Sequence, residues 1–169
     1  MIELVRHRGV SVRAILLTHT DVDHIAGLPD LLRELGDVPV AVHDSERAVV
    51  AEGKPLRREF VMELPPLVNL SSLVEGEPYR AGSLEFEILH TPGHSPGGVT
   101  LKIEDMLFTG DALFAGSIGR SDFRNSDGEL LLRGIHDKLL TQPGASVVYS
   151  GHGPATTIER EKKSNPFLS

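Results

Sequence analysis

At 169 residues, with 40 % hydrophobic and 24 % charged side chains, the chain is long enough for one domain with a real core, and its composition is ordinarily globular. The formal net charge of −7 argues against a nucleic-acid partner, which would be held by Lys and Arg on phosphates. No apolar run nears the ~20 residues of a membrane span, no charged start leads into a signal peptide, and without cysteine thiolate zinc sites, disulfides and a Cys nucleophile are excluded.

Met1 to Gly9 reads as the tail of a helix, with Ile2 and Val5 among charges and Gly9 as its stop. The apolar run Ala14 to Leu17 gives a buried strand over Arg13 to Leu17. It ends abruptly in Thr18-His19-Thr20-Asp21-Val22-Asp23-His24, a strand-to-helix loop holding two imidazoles and two carboxylates. Strand ends of this kind carry the ligand sites of α/β proteins; a solvated polar loop has the same composition. Ile25, Leu28, Leu31, Leu32 and Leu35 fall on one helix face, closed by Gly36. Val38 to Val42 is a second strand, giving a βαβ unit with a parallel sheet. Asp44 to Ala51 is a short helix with Asp44 or Ser45 as N-cap, and Gly53 to Pro66, with mixed charge and three prolines, is a surface loop.

The second half changes character. Leu67 to Leu73, Tyr79 to Ala81, Leu84 to Leu89, Val99 to Ile103 and Met106 to Thr109 alternate and are separated by turn residues, which predicts a β meander. Ser126 and Glu129 form a capping box ahead of a helix carrying Leu130, Leu131, Ile135, Leu139 and Leu140, which Gln142-Pro143-Gly144 ends. Ser146 to Tyr149 is a last strand and Thr157 to Lys163 a closing helix.

Three more strand ends share the shape of the first loop. His94 follows Gly93 after the strand Leu84 to Leu89, Asp111 follows Gly110 after Met106 to Phe108, and His152 follows Gly151 after Val147 to Tyr149. Glycine lets the backbone turn sharply and approach a ligand closely. Each histidine taken singly is ordinary in a loop; four such strand ends together describe a metal cleft at the rim of a sheet. His90 is expected to hydrogen-bond locally or support the site, His7 and His43 to be surface residues, and His136 to lie on a solvated helix face.

The motifs THTDVDH, HTPGHSPGG, TGDALF, GSIGRSDF and SGHGPATT, in this order and over nearly the whole chain, resemble the metallo-β-lactamase superfamily, and within it the small glyoxalase II-like hydrolases. The resemblance implies an α/β fold, the αββα metallo-β-lactamase-like sandwich, as one domain over 1–169. It implies two divalent metal ions between the sheet edges, zinc first, with iron or manganese as alternatives. One ion would take His19, Asp21 and His94; the other Asp23, His24 and His152; Asp111 would bridge them. Family members begin with strands and a helix ahead of Arg13, whereas this chain opens at the helix tail, so the sandwich is expected to lack the usual N-terminal strands. The family also has His at position 21. Asp21 makes the first position harder and more anionic, which favours Mn²⁺ or Fe²⁺ over zinc and leaves a bound water less acidic; Asp21→His is expected to raise zinc occupancy.

The resemblance implies a cytoplasmic metal-dependent hydrolase of a small thioester such as an S-acylglutathione, working through a metal-bound hydroxide. Asp23 would orient the nucleophile, and Arg120 would clamp a substrate carboxylate. A persulfide dioxygenase-like enzyme with one iron on His19, His94 and Asp111 is the alternative, and an inactive metal-binding domain the third. Neither nucleic acid nor membrane is expected as a partner, and the oligomeric state stays open, a dimer included.

Overall fold

β1 (Ile15–Leu16), the end of the first apolar run, pairs in parallel with β2 (Val40–Val42), as the βαβ reading expects. The computed structural model describes residues 2–53, 56, 57, 67 and 69–168, so most of the loop expected over Gly53 to Pro66 lies outside the described residues. Ahead of β1, the helix α1 (Ile2–Arg8) buries no residue. The single helix expected after His24 is two: α2 (Val22–Ile25) and α3 (Leu28–Leu35). Pro29 explains the break, since proline donates no backbone hydrogen bond and sits well only in a first helical turn. Gly36, at φ 74°, stops α3 as expected.

A 3₁₀ turn at Asp44–Glu46 leads into α4 (Arg47–Glu52). The cap of the 3₁₀ turn is neither Asp44 nor Ser45. His43 takes that place, its Nδ1 accepting from the Ser45 amide at 3.3 Å, and its ring stacks on His90 at 4.0 Å. The surface reading of His43 is thereby corrected: it is half-buried and engaged. His90 bonds locally, with Nε2 3.1 Å from the Pro96 oxygen.

The strand expected over Leu67 to Leu73 shortens to β3 (Leu70–Ser72) and leaves the meander: it runs parallel to β2 in the first sheet, order β1-β2-β3. Alternation alone cannot tell which sheet takes a strand. The meander proper is β4 (Tyr79–Ala81), β5 (Leu84–His90), β6 (Val99–Ile103) and β7 (Met106–Gly110), joined by β10 (Val147–Ser150) and β11 (Thr156–Thr157) in the order β11-β10-β7-β6-β5-β4. A small hairpin, β8 (Leu113–Phe114) and β9 (Ser117–Ile118), follows Asp111. α5 (Gly128–Gly134) continues through a π turn at Ile135–Leu139, and α6 (Ile158–Ser164) closes the chain. Ser126 is not the cap of α5; Asp127 accepts from the Leu130 amide at 2.9 Å, which frees Ser126 for the site.

Three buried clusters define the layers. Leu17, Leu28, Leu32, Val40, Val42, Val49 and Val50 fill the space between the first sheet and α2 to α4. Ala41, Leu73, Ile88, Val99 and Leu101, with Leu16 at their edge, fill the space between the sheets. Leu89, Leu107, Leu131, Ile135, Leu139, Val148 and Ile158 fill the space between the second sheet and α5 and α6. Successive residues face opposite ways along a strand: Val40 and Val42 point out where Ala41 points in, and Ile88 in where Leu89 points out. The result is the αββα sandwich. Among the described residues no helix is long and apolar enough to cross a membrane.

Candidate metal centre

The strands deliver their polar ends to one place. Val99 N donates to Thr18 O at 2.8 Å, joining the end of the first sheet to the second, and Gly151 N donates to Gly110 O at 2.8 Å, joining the Asp111 and His152 loops. His19, Asp21 and His94 offer ligand-type atoms within 4.8 Å of one another; so do His19, His24 and Asp111, and Asp23, His24 and His152. The three sets share members and form one continuous cluster.

Asp111 sits at its middle. Oδ1 lies 3.3 Å from His24 Nε2, without hydrogen-bond geometry, while Oδ2 lies 3.7 Å from His94 Nε2 and 3.5 Å from His152 Nε2. Asp23 Oδ2 is 3.1 Å from His152 Nε2 and 3.8 Å from His24 Nε2, on the exposed side. Asp21 Oδ2 is 3.1 Å from His94 Nε2. His94 Nδ1 bonds the Arg120 carbonyl at 2.7 Å, which aims Nε2 at the cluster. The segment that follows the hairpin and carries Arg120 presses against the site: a Cβ on Gly119 would lie 1.8 Å from the Asp111 backbone oxygen. Gly151 is as constrained. A Cβ there would come 2.3 Å from Asp111 Oδ1 and 2.5 Å from His24 Cε1.

The electrostatics follow from crowding. Burial, reinforced by His24 and His94, pushes the His19 pKa down to about 3, against the pull of Asp111 and Asp21. Burial also opposes a charge on His24, but Asp111, Asp23 and Asp21 outweigh it and raise its pKa above the ordinary value. Burial would raise Asp111; His24, His19 and His94 overcome it and lower its pKa. For Asp21 burial is likewise overcome, by His94 and Arg57.

His19 Nε2, Asp21 Oδ1, His24 Nε2 and Asp111 Oδ1 are buried with no hydrogen-bond partner among the described residues. Such orphan atoms are costly in a folded protein. Two imidazole nitrogens and two carboxylate oxygens converging without partners suit a divalent cation, and imidazole with carboxylate is the donor set of zinc, iron and manganese. The residues fit the group.

Two contributors were not anticipated. Glu46 is fully buried. Its Oε2 accepts from Thr20 N at 2.6 Å and Thr20 Oγ1 at 2.7 Å, and its Oε1 from Gly97 N at 2.8 Å. It therefore stitches the loop of His19 and Asp21 to the loop of His94. The one signal was an acid on the same helical face as Val49 and Val50. Arg57, inside the stretch expected to be a surface loop, reaches the cluster: Nη1 donates to Asp21 Oδ2 at 2.6 Å and Nη2 to the His94 carbonyl. Its guanidinium lies 4.0 Å from the Phe123 ring centroid and that of Arg120 4.4 Å. Arg120 itself is exposed and pairs with Asp122 at 2.9 Å. These residues edge a cavity of about 630 Å³ that opens over Asp21, Asp23 and Asp111.

A profile of the metallo-beta-lactamase superfamily matches residues 2–152. The chain is 40 % identical over 174 residues to the probable metallo-hydrolase YqgX of Bacillus subtilis (strain 168), covering 99 % of this chain and 81 % of that protein. It is 34 % identical over 185 residues to the hydroxyacylglutathione hydrolase GloC of Haemophilus influenzae, covering 100 % and 82 %. Among solved structures it is similar to the BLEG-1 B3 metallo-beta-lactamase (TM-score 0.85, 37 % identity, 99 % of this chain and 82 % of that one). It is also similar to TTHA1623 in a di-iron-bound form (TM-score 0.84, 35 % identity, 99 % and 83 %).

Proposed function

Because the chain belongs to the metallo-beta-lactamase superfamily, we propose that it is a metal-dependent hydrolase of a thioester such as an S-acylglutathione. The observation that carries this reading is the continuity of the cluster: two three-residue sets, His19-Asp21-His94 and Asp23-His24-His152, flank Asp111, which approaches ring nitrogens of both. His19, Asp21 and His94 would hold one ion and Asp23, His24 and His152 the other, with Asp111 between them. Zinc is the first choice; the similarity to a di-iron protein keeps iron open, and manganese suits the carboxylates. Divalent ions held there would acidify a bound water and polarise the thioester carbonyl.

The chain's own groups do the rest. Asp23, on the open side, would accept a hydrogen bond from the attacking water and orient it while ligating. The Arg120 carbonyl fixes the His94 ring through Nδ1. The Arg120 guanidinium, at the cavity rim, would bind a substrate carboxylate on giving up its pair with Asp122. The similarity to GloC supports glutathione as the thiol. An intact second set, Asp23-His24-His152, favours hydrolysis over a reaction needing one iron on His19, His94 and Asp111.

Thiol release from an S-acylglutathione by the metal-loaded protein tests this. Release that stops with a chelator and in Asp111→Ala is expected. Oxygen consumption on a glutathione persulfide without thioester cleavage would replace hydrolysis by dioxygenation. Neither activity would leave an inactive metal-binding domain.

A further inference from the structure

Asp21 brings a carboxylate to the first metal position, and a carboxylate there should make that position more anionic than an imidazole would. The structure supplies the counterweight. Arg57 donates to Asp21 Oδ2 at 2.6 Å with a side chain only 13 % exposed, and a guanidinium is permanently cationic. Oδ2 is occupied by Arg57 and His94, whereas Oδ1 is buried with no partner among the described residues. One oxygen is thus held and the other left free to ligate. The same guanidinium bonds the His94 carbonyl and lies 3.4 Å from Ser126 Oγ, which itself donates to that carbonyl at 2.7 Å. Arg57 therefore anchors the carboxylate and the loop of a second candidate ligand at once, while packing on Phe123.

We propose that Arg57 is a positioning residue that neutralises Asp21, so that the Asp21–Arg57 pair presents the first metal position with the net charge of a neutral ligand. The proposal rests on the two-ion reading above. It reverses the expectation for Asp21→His. That substitution removes the carboxylate and leaves the Arg57 cation unmatched beside a dication, which weakens the first ion instead of favouring it. Summed over positions 21 and 57, the charge is 0 in the parent, +1 in Asp21→His, −1 in Arg57→Gln and 0 in the double variant. A unit charge at the edge of a partly buried dication site is worth at least ~10-fold in affinity.

The test measures both zinc dissociation constants by chelator competition in these four proteins. The more weakly held ion should bind at least ~10-fold tighter in Arg57→Gln and ~10-fold weaker in Asp21→His, and the double variant should return to the parent value. The ion of Asp23, His24 and His152 should change little in all four, which also reports an intact fold. Arg57→Lys, which keeps the charge but loses the fork to the His94 carbonyl, should lie closer to the parent than Arg57→Gln does. Two bound ions with the same weaker constant in all four proteins, or an Asp21→His variant that binds tighter than the parent, would overturn the coupling while leaving the two-ion reading in place. A parent that binds a single equivalent would overturn both.

Discussion

Replacing Glu46 by Gln should damage the site without touching a candidate ligand. The carboxylate is fully buried, and its three contacts, at 2.6, 2.7 and 2.8 Å, are all from donors. Gln keeps the volume but turns one acceptor oxygen into an NH₂. With its oxygen on Thr20, the amide faces the Gly97 N–H, donor against donor; flipped, it faces both Thr20 donors. At least one bond to a charged acceptor is lost and one buried N–H is left unpaired. That is about 2–4 kcal/mol from bond loss and desolvation together. For a chain of this size, 1 kcal/mol moves the melting temperature by about 2–4 °C, so metal-stripped Glu46→Gln should melt roughly 5–15 °C below the parent. Glu46→Ala, which strands all three donors and opens a cavity, should lose about 4–7 kcal/mol, close to the whole stability of a small domain. Thermal and urea unfolding of the stripped proteins read this directly. The variant that folds should also hold the first ion more weakly, since Thr20 lies between His19 and Asp21 and Gly97 three residues past His94. A Glu46→Gln protein within about 0.5 kcal/mol of the parent and with unchanged metal affinity would refute the stitching role.

Further outcomes follow from the same geometry. Asp111→Ala should lose both retained metal and turnover, measured by elemental analysis and thiol release, because Asp111 is the residue proposed to touch both ions. Gly151→Ala should drive a methyl between Asp111 and His24, given the 2.3 and 2.5 Å approaches; metal content should fall sharply while circular dichroism stays near the parent's. The metal-free protein should lose stability as pH falls from about 6.5 towards 3. His19 has a folded pKa near 3 against 6.5 unfolded, so over this window the unfolded chain binds the extra proton and acid favours unfolding, by a few kcal/mol in order of magnitude. His24 works in the opposite sense: its pKa is raised in the folded state by Asp111, Asp23 and Asp21, so its contribution to stability is gained as pH falls through the unfolded value and does not add to the loss. Denaturant titrations at pH 7, 5.5 and 4.5 should show the decline, and His19→Gln should flatten it.

The candidate ligands were legible because each belongs to a local event: an apolar strand stops and a His or Asp follows in the next few residues, directly after Gly for His94, Asp111 and His152. His19, Asp21, Asp23, His24, His94, Asp111 and His152 converge for that reason. The layering was legible too, since Val40-Ala41-Val42 and Ile88-Leu89 carry the alternation that assigns each side chain to a core. What the local pattern lacked was long-range information. Leu70–Ser72 has the alternation of the meander strands but pairs with β2, a choice made by tertiary packing. Ser126 fits a capping box, yet Asp127 caps α5 and Ser126 turns to the His94 carbonyl. The His43 ring stacks on His90, 47 positions away in sequence numbering, which no local pattern could show. Arg57 sits in a stretch with no periodicity at all, and only the folded chain brings it to Asp21.

The central claim is a two-ion centre spanning the ends of both sheets. Diffraction from crystals of the zinc-loaded protein, with anomalous data collected at the zinc edge, tests it most directly. Two anomalous peaks are expected on either side of Asp111, one within about 2.0–2.2 Å of His19, Asp21 and His94 atoms and the other of Asp23, His24 and His152 atoms. A single peak, or peaks with His24 and His152 turned to separate surfaces, would contradict it.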